Sequence, residues 1–105
     1  MKAEKLHSPN TLTEGTSFHG QTIYTSVEAL TEAYGEPHNY GDPDDKVQYE
    51  WDMELQDGTI FTIYDWKEYR CYEESATIEF HIGAQNSMDA IKALRSLKLR
   101  LGNII

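Results

Sequence analysis

Positive charge is scarce in this chain: 9 Lys and Arg stand against 18 Asp and Glu in 105 residues, a net charge of −9. Surfaces that bind phosphate polyanions need clustered Lys and Arg, so neither direct DNA binding nor membrane association is expected. Cysteine is scarcer still. Cys71 has no second thiol to pair with in the chain, and nothing calls for an oxidising compartment. No apolar run approaches the ~20 residues of a membrane-spanning helix, and residues 1–20 lack the apolar core of a signal peptide. The remaining class is a small acidic domain, expected in the cytoplasm and marginal in size for a monomer. Charge is also uneven. The first 91 residues hold all 18 acids and 5 of the 9 bases, a balance of −13, whereas Lys92, Arg95, Lys98 and Arg100 make the C-terminal segment basic. Cations in the last turns of a helix also suit its dipole, which is the plain account of that asymmetry.

Residues 1–15 mix charge, Ser, Thr, Asn and Pro without period and are expected to form a flexible N-terminal arm, leaving residues 16–105 as a single α+β domain. Phe18, Ile23 and Tyr24 suit a short strand or tight hairpin. Thr25 and Glu28 have capping-box spacing, with Val27, Leu30, Ala33 and Tyr34 on one helical face and Gly35 as the stop, so a helix is predicted over 26–34. The strongest pattern comes after an acidic loop at 38–45: Val47, Tyr49, Trp51, Met53 and Leu55 alternate with Gln48, Glu50, Asp52 and Glu54. Asp57-Gly58 then predicts a two-residue type I′ turn, which pairs Leu55 with Ile60, Met53 with Thr62, Trp51 with Tyr64 and Tyr49 with Trp66. Ala76, Ile78, Phe80 and Ile82 read as a further strand ended by Gly83. Asn86 or Ser87 caps a second helix striped by Ala90, Leu94, Leu97 and Leu101, with Ile91 widening the stripe. The order is β-α-β-β-β-α, a mainly antiparallel sheet packed by two helices.

Chemistry is sparse. His38 with Asp42, Asp44 and Asp45 matches neither an EF-hand nor a zinc spacing, and a solvated acidic turn accounts for it. There is no Gly-x-Ser-x-Gly elbow, no Gly-rich phosphate loop and no Cys–His pairing, so neither an enzyme nor a metal or other cofactor is expected. The segment from Tyr64 to Tyr72 interleaves four aromatics with Lys67 and Arg70. Rings stack on bases while Lys and Arg hold phosphates, although half of these rings must also serve the sheet. Trp66, Lys67, Tyr69, Arg70 and His81 are the candidate ligand-binding residues, joined by Arg95 and Lys98 for phosphate contacts. His81 is equally readable as a structural or exposed side chain. The ladder of Glu50, Asp52 and Glu54, together with the Asp42 to Asp45 turn, has a second reading, an acidic inhibitor that occupies the nucleic-acid groove of a host defence complex, beside the plain one of a solvent face.

The blocks Gln21-Thr-Ile-Tyr, Tyr34-Gly-Glu-Pro37, the run from Asp57 to Lys67, and Phe80-His-Ile-Gly83 resemble short phage-encoded counter-defence proteins over residues 17–101. Within that group the resemblance is to anti-Thoeris proteins that sequester cyclic ADP-ribose signals. It implies a non-catalytic nucleotide sponge in the cytoplasm of an infected host cell, a homo-oligomer whose ligand is held by stacking and by Arg and Lys contacts to a pyrophosphate. The acidic body departs from that pattern. Surplus apolar residues on the second helix, Leu99 above all, independently suggest self-association.

Overall fold

The computed structural model describes residues 2–6 and 13–102. The elements are β1 (Ala3–Lys5), β2 (Ser17–Thr25), α1 (Val27–Tyr34), β3 (Asn39–Tyr40), β4 (Tyr49–Leu55), β5 (Ile60–Asp65), β6 (Ile78–Ala84) and α2 (Ser87–Leu101). They build an α+β fold. The sheet is antiparallel throughout and ordered β1-β4-β5-β6-β2, with β3 also pairing along the outer edge of β4. No helix among the described residues is long and apolar enough to cross a membrane.

Both helices lie against one sheet face. Alternation sends Trp51, Met53 and Leu55 of β4, Phe61 and Ile63 of β5, and Phe80 and Ile82 of β6 to that side, where Val27 and Leu30 of α1 and Ala90, Ala93 and Leu97 of α2 meet them. Burying each large side chain of this set contributes about 1.5–3 kcal/mol. Trp51 is fully buried, packs edge-on against Phe80 and donates from Nε1 to the Gly35 carbonyl at 2.9 Å, fastening α1 to the sheet.

The hairpin register differs from the predicted one by a single residue: Met53 pairs with Phe61, Trp51 with Ile63 and Glu50 with Tyr64. A type I′ turn needs positive φ at both central positions, and Asp57 does not supply it. Only Gly58 does, at φ 90°. The loop therefore takes three residues: Gly58 N–H donates to the Leu55 carbonyl and Leu55 N–H to the Thr59 carbonyl, a turn closed by a glycine bulge. This shift places apolar residues opposite apolar ones, where the two-residue loop would have set Met53 against Thr62.

Other boundaries also move. Residues 3–5, expected within the arm, form β1 against Leu55, Glu54 and Met53, and Ala3 and Leu6 are buried; residues 7–12 of that expectation lie outside the described residues. Three residues of alternating burial on an open sheet edge leave too short a pattern to read from sequence. The cap of α1 is Ser26, whose Oγ accepts from Ala29 N–H at 3.1 Å, while Thr25 ends β2 with its hydroxyl buried and unpartnered. Asn86 caps α2 through Asp89 N–H at 2.9 Å. Gly83 continues β6 rather than ending it.

Candidate functional site

The face of the sheet away from the helices carries the candidate site, and the register assembles it. Glu50, Tyr64, His81 and Thr22 are successive cross-strand partners from β4 to β2; the neighbouring row is Asp52, Thr62, Gly83 and Phe18. Between Phe18 and Thr22 the register of β2 shifts, with Gly20 at φ 87° in the irregularity. Phe18 stacks on His81 with ring centroids 4.1 Å apart and planes 21° apart. Trp66, one residue beyond β5, also stacks on His81, at 6.2 Å and 29°. Tyr64 meets His81 and Trp66 edge-on at 5.6 and 6.2 Å. Phe18 and Trp66 remain 44% and 38% exposed, so this ring cluster meets solvent.

Beside the rings is a cleft of about 220 Å³. Tyr64 and Trp66 wall it, Thr16, Ser17 and Thr62 bring hydroxyl groups, Val47 adds an apolar wall, and Gly83 contributes bare backbone. A Cβ on Gly83 would lie 2.4 Å from Thr62 Oγ1, so only glycine permits this approach without displacing Thr62. Glu50 is the one charged residue among those lining the cleft. Burial, then the adjacent Asp52 carboxyl, push its carboxyl from the ordinary 4.5 up to about 8. Asp52 is 6% exposed and its Oδ1 has no hydrogen-bond partner. Glu50 therefore holds its proton to a higher pH than an ordinary carboxyl. Burial pushes His81 below its usual range, with Glu79 opposing, so the stacked imidazole is neutral at pH 7.

The loop that delivers Trp66 is built under strain. Lys67 and Tyr69 have φ of 53° and 51°, a left-handed conformation that costs a non-glycine residue about 1–2 kcal/mol. It is held by Lys67 N–H donating to the Lys46 carbonyl at 2.7 Å and Gln48 Nε2 donating to the Arg70 carbonyl at 3.0 Å. Asp65, wholly buried at the end of β5, anchors both sides by accepting from Gln48 N–H, Tyr49 N–H and the Tyr72 hydroxyl at 2.7, 3.0 and 2.8 Å.

Of the residues singled out from sequence, Trp66 and His81 meet, and Lys67 sets its Nζ 5.4 Å from the Trp66 ring centroid. Tyr69 is exposed at the strained turn. Arg70 instead pairs with Glu68 at 3.2 Å, lies over Tyr72, and lines a separate and larger cleft of about 620 Å³ with Tyr49 and Cys71. Arg95 and Lys98 do not join the site: they are exposed on α2, in the layer on the opposite side of the sheet. A single ligand at Trp66 and His81 thus cannot also be held by these two cations of the same chain. Phe18 and Thr62 were missed as site residues, and Tyr64, in the aromatic segment, and Glu50, in the acidic ladder, were not placed with His81, because only the true register of β4 and β5 sets the ladder beside the rings. His38 uses both ring nitrogens within the fold, Nδ1 accepting from Asp52 N–H at 3.0 Å and Nε2 donating to the Leu6 carbonyl at 2.9 Å.

No protein-family model matches the chain, and no curated protein matches it in sequence.

Proposed function

We propose that this protein is a non-catalytic binding module that holds a small nucleotide by stacking its ring against the open aromatic face, in the role of a phage counter-defence sponge. The supporting observation is the Phe18–His81–Trp66 stack left uncovered beside a cleft that Trp66 itself walls. Base–aromatic stacking contributes about 1–3 kcal/mol per base, and Lys67 is the cation nearest Trp66 for a phosphate carried by the same ligand. Cyclic ADP-ribose is the ligand type suggested by the sequence resemblance. Self-association belongs to the same reading: Leu99 is 79% exposed on α2, and a light-scattering mass of one chain at micromolar concentration would remove that part of it.

The acidic-inhibitor reading has less support in the ladder, where Asp52 is buried and the Glu50 carboxyl is pushed up to about 8, while Glu54 and the Asp42, Asp44 and Asp45 carboxylates of the turn are exposed. Calorimetry and thermal shift with cyclic ADP-ribose, cyclic oligonucleotides and mononucleotides test the proposal. Binding that is lost in Trp66→Ala with little change in salt dependence is the expected result. No heat and no shift from any of them overturns it, and a protein partner bound with steep salt dependence would favour the inhibitor.

A further inference from the structure

Resting on that ring-binding reading but departing from its adenine-type ligand, we propose that the cleft beside Trp66 takes a base edge with two adjacent N–H donors, the guanine type, and that Glu50 is the residue that reads it. The cleft lining holds one charged group, a carboxyl, and no Lys or Arg among the described residues, so it suits the base of a nucleotide and not its phosphate. Its volume of about 220 Å³ accommodates a fused two-ring base. Tyr64, the cross-strand partner of Glu50, and Trp66 stand edge to face at 6.2 Å and provide the ring walls from which a base would extend toward the carboxyl.

The chemistry of the carboxyl selects the edge. In the free protein Glu50 is half-buried next to Asp52, whose own Oδ1 is buried and has no hydrogen-bond partner. A ligand that supplies two parallel N–H groups displaces the Glu50 proton to solvent on binding, satisfies both oxygens of the resulting carboxylate and makes good the hydration lost on burial. The N1–H and 2-amino group of guanine present such an edge. Hypoxanthine lacks the amino group and leaves one oxygen unpaired, at the full cost of an unsatisfied charged acceptor. The Thr62 hydroxyl lines the cleft for the rest of the base, while the Thr16 hydroxyl donates to the Thr13 carbonyl at 2.7 Å and the Ser17 hydroxyl meets His19 Nε2 at 3.3 Å.

Titration calorimetry of the native protein with guanosine and with inosine compares two ligands that differ in that one amino group. Guanosine is expected to bind about ten- to a hundredfold more tightly. Glu50→Gln, close to isosteric, should bring the ratio of guanosine to inosine affinity near one. Trp66→Ala should weaken both nucleosides equally. Equal native affinities, or a preference that survives Glu50→Gln, overturn the role of Glu50 and leave the ring-binding reading standing. Failure of both nucleosides to bind, while an adenine nucleotide binds and is lost in Trp66→Ala, also rejects the guanine edge alone. Failure of every ring compound rejects both.

Discussion

The two faces of the sheet are built from the same strands and obey opposite rules. On the helix-covered face, Trp51, Met53, Phe61, Ile63, Phe80 and Ile82 are fully buried, and Trp51 satisfies its indole N–H on Gly35. On the open face, rings are exposed, Asp52 keeps an unpartnered oxygen, the Glu50 carboxyl is pushed up by burial and by Asp52, and the adjoining loop holds two non-glycine residues at positive φ. Stability is concentrated on the first face and strain on the second. Strained backbone and unsatisfied buried polar atoms are costs that persist where surrounding structure enforces them, and they gather at functional sites.

The sharpest way to break this comparison is a pair of tryptophan truncations. Trp51→Ala should cost about 3–5 kcal/mol, as a large core truncation does, whereas Trp66→Ala should cost far less stability while abolishing ring binding. Denaturant midpoints and calorimetry read the two effects separately, and equal losses of stability would show that the open face is also core. Gly83→Ala comes next. Its methyl group would meet Thr62 Oγ1 at 2.4 Å, so the substitution should destabilise by about 1–3 kcal/mol as overpacking and should narrow the cleft, measured as weakened ligand binding in a chain that still folds.

Glu50 supplies a pH test. Below the ordinary 4.5 both folded and unfolded chains hold its proton; between 4.5 and about 8 only the folded chain does, so stability falls as pH rises through that window, and the loss is complete above it. His81 works oppositely: with its folded value depressed, it removes stability as pH falls below 6.5. Melting temperatures measured from pH 5 to pH 8 should therefore decline more steeply in the native protein than in Glu50→Gln, the difference isolating Glu50. Parallel curves would place its carboxyl in water. The smallest contrast lies at one helix start. Ser26→Ala should cost about 0.5–2 kcal/mol, but Thr25→Val, which removes a buried unpartnered hydroxyl, should leave the denaturation midpoint unchanged or raise it slightly.

The site was legible only in fragments. His81 and Trp66 stood out as a polar-face histidine and an aromatic beside the cations, and both are in the stack. Glu50 looked like one rung of a solvent ladder, because nothing in an alternating pattern tells an exposed carboxylate from one pressed against a neighbour. Arg95 and Lys98 were attractive as scarce cations, yet sequence counts charges without saying on which side of a sheet they fall. Phe18 was visible as a strand residue. Its stacking on His81 depends on the irregularity of β2 around Gly20, a local departure with no sequence period.

The sequence by itself determined the α+β order, the alternation of β4, the two-helix complement and the acidic balance, since periodicity and capping residues act over a few neighbouring positions. Tertiary structure alone decided the hairpin register, the pairing of β1 with β4, and the meeting of Phe18, Tyr64, Trp66, His81 and Glu50. The physical reason is the two-residue period of a strand. One additional loop residue at Gly58 reassigns every cross-strand partner, and that choice is settled by packing Trp51 and Met53 against Ile63 and Phe61 beneath the helices, many residues away in the chain.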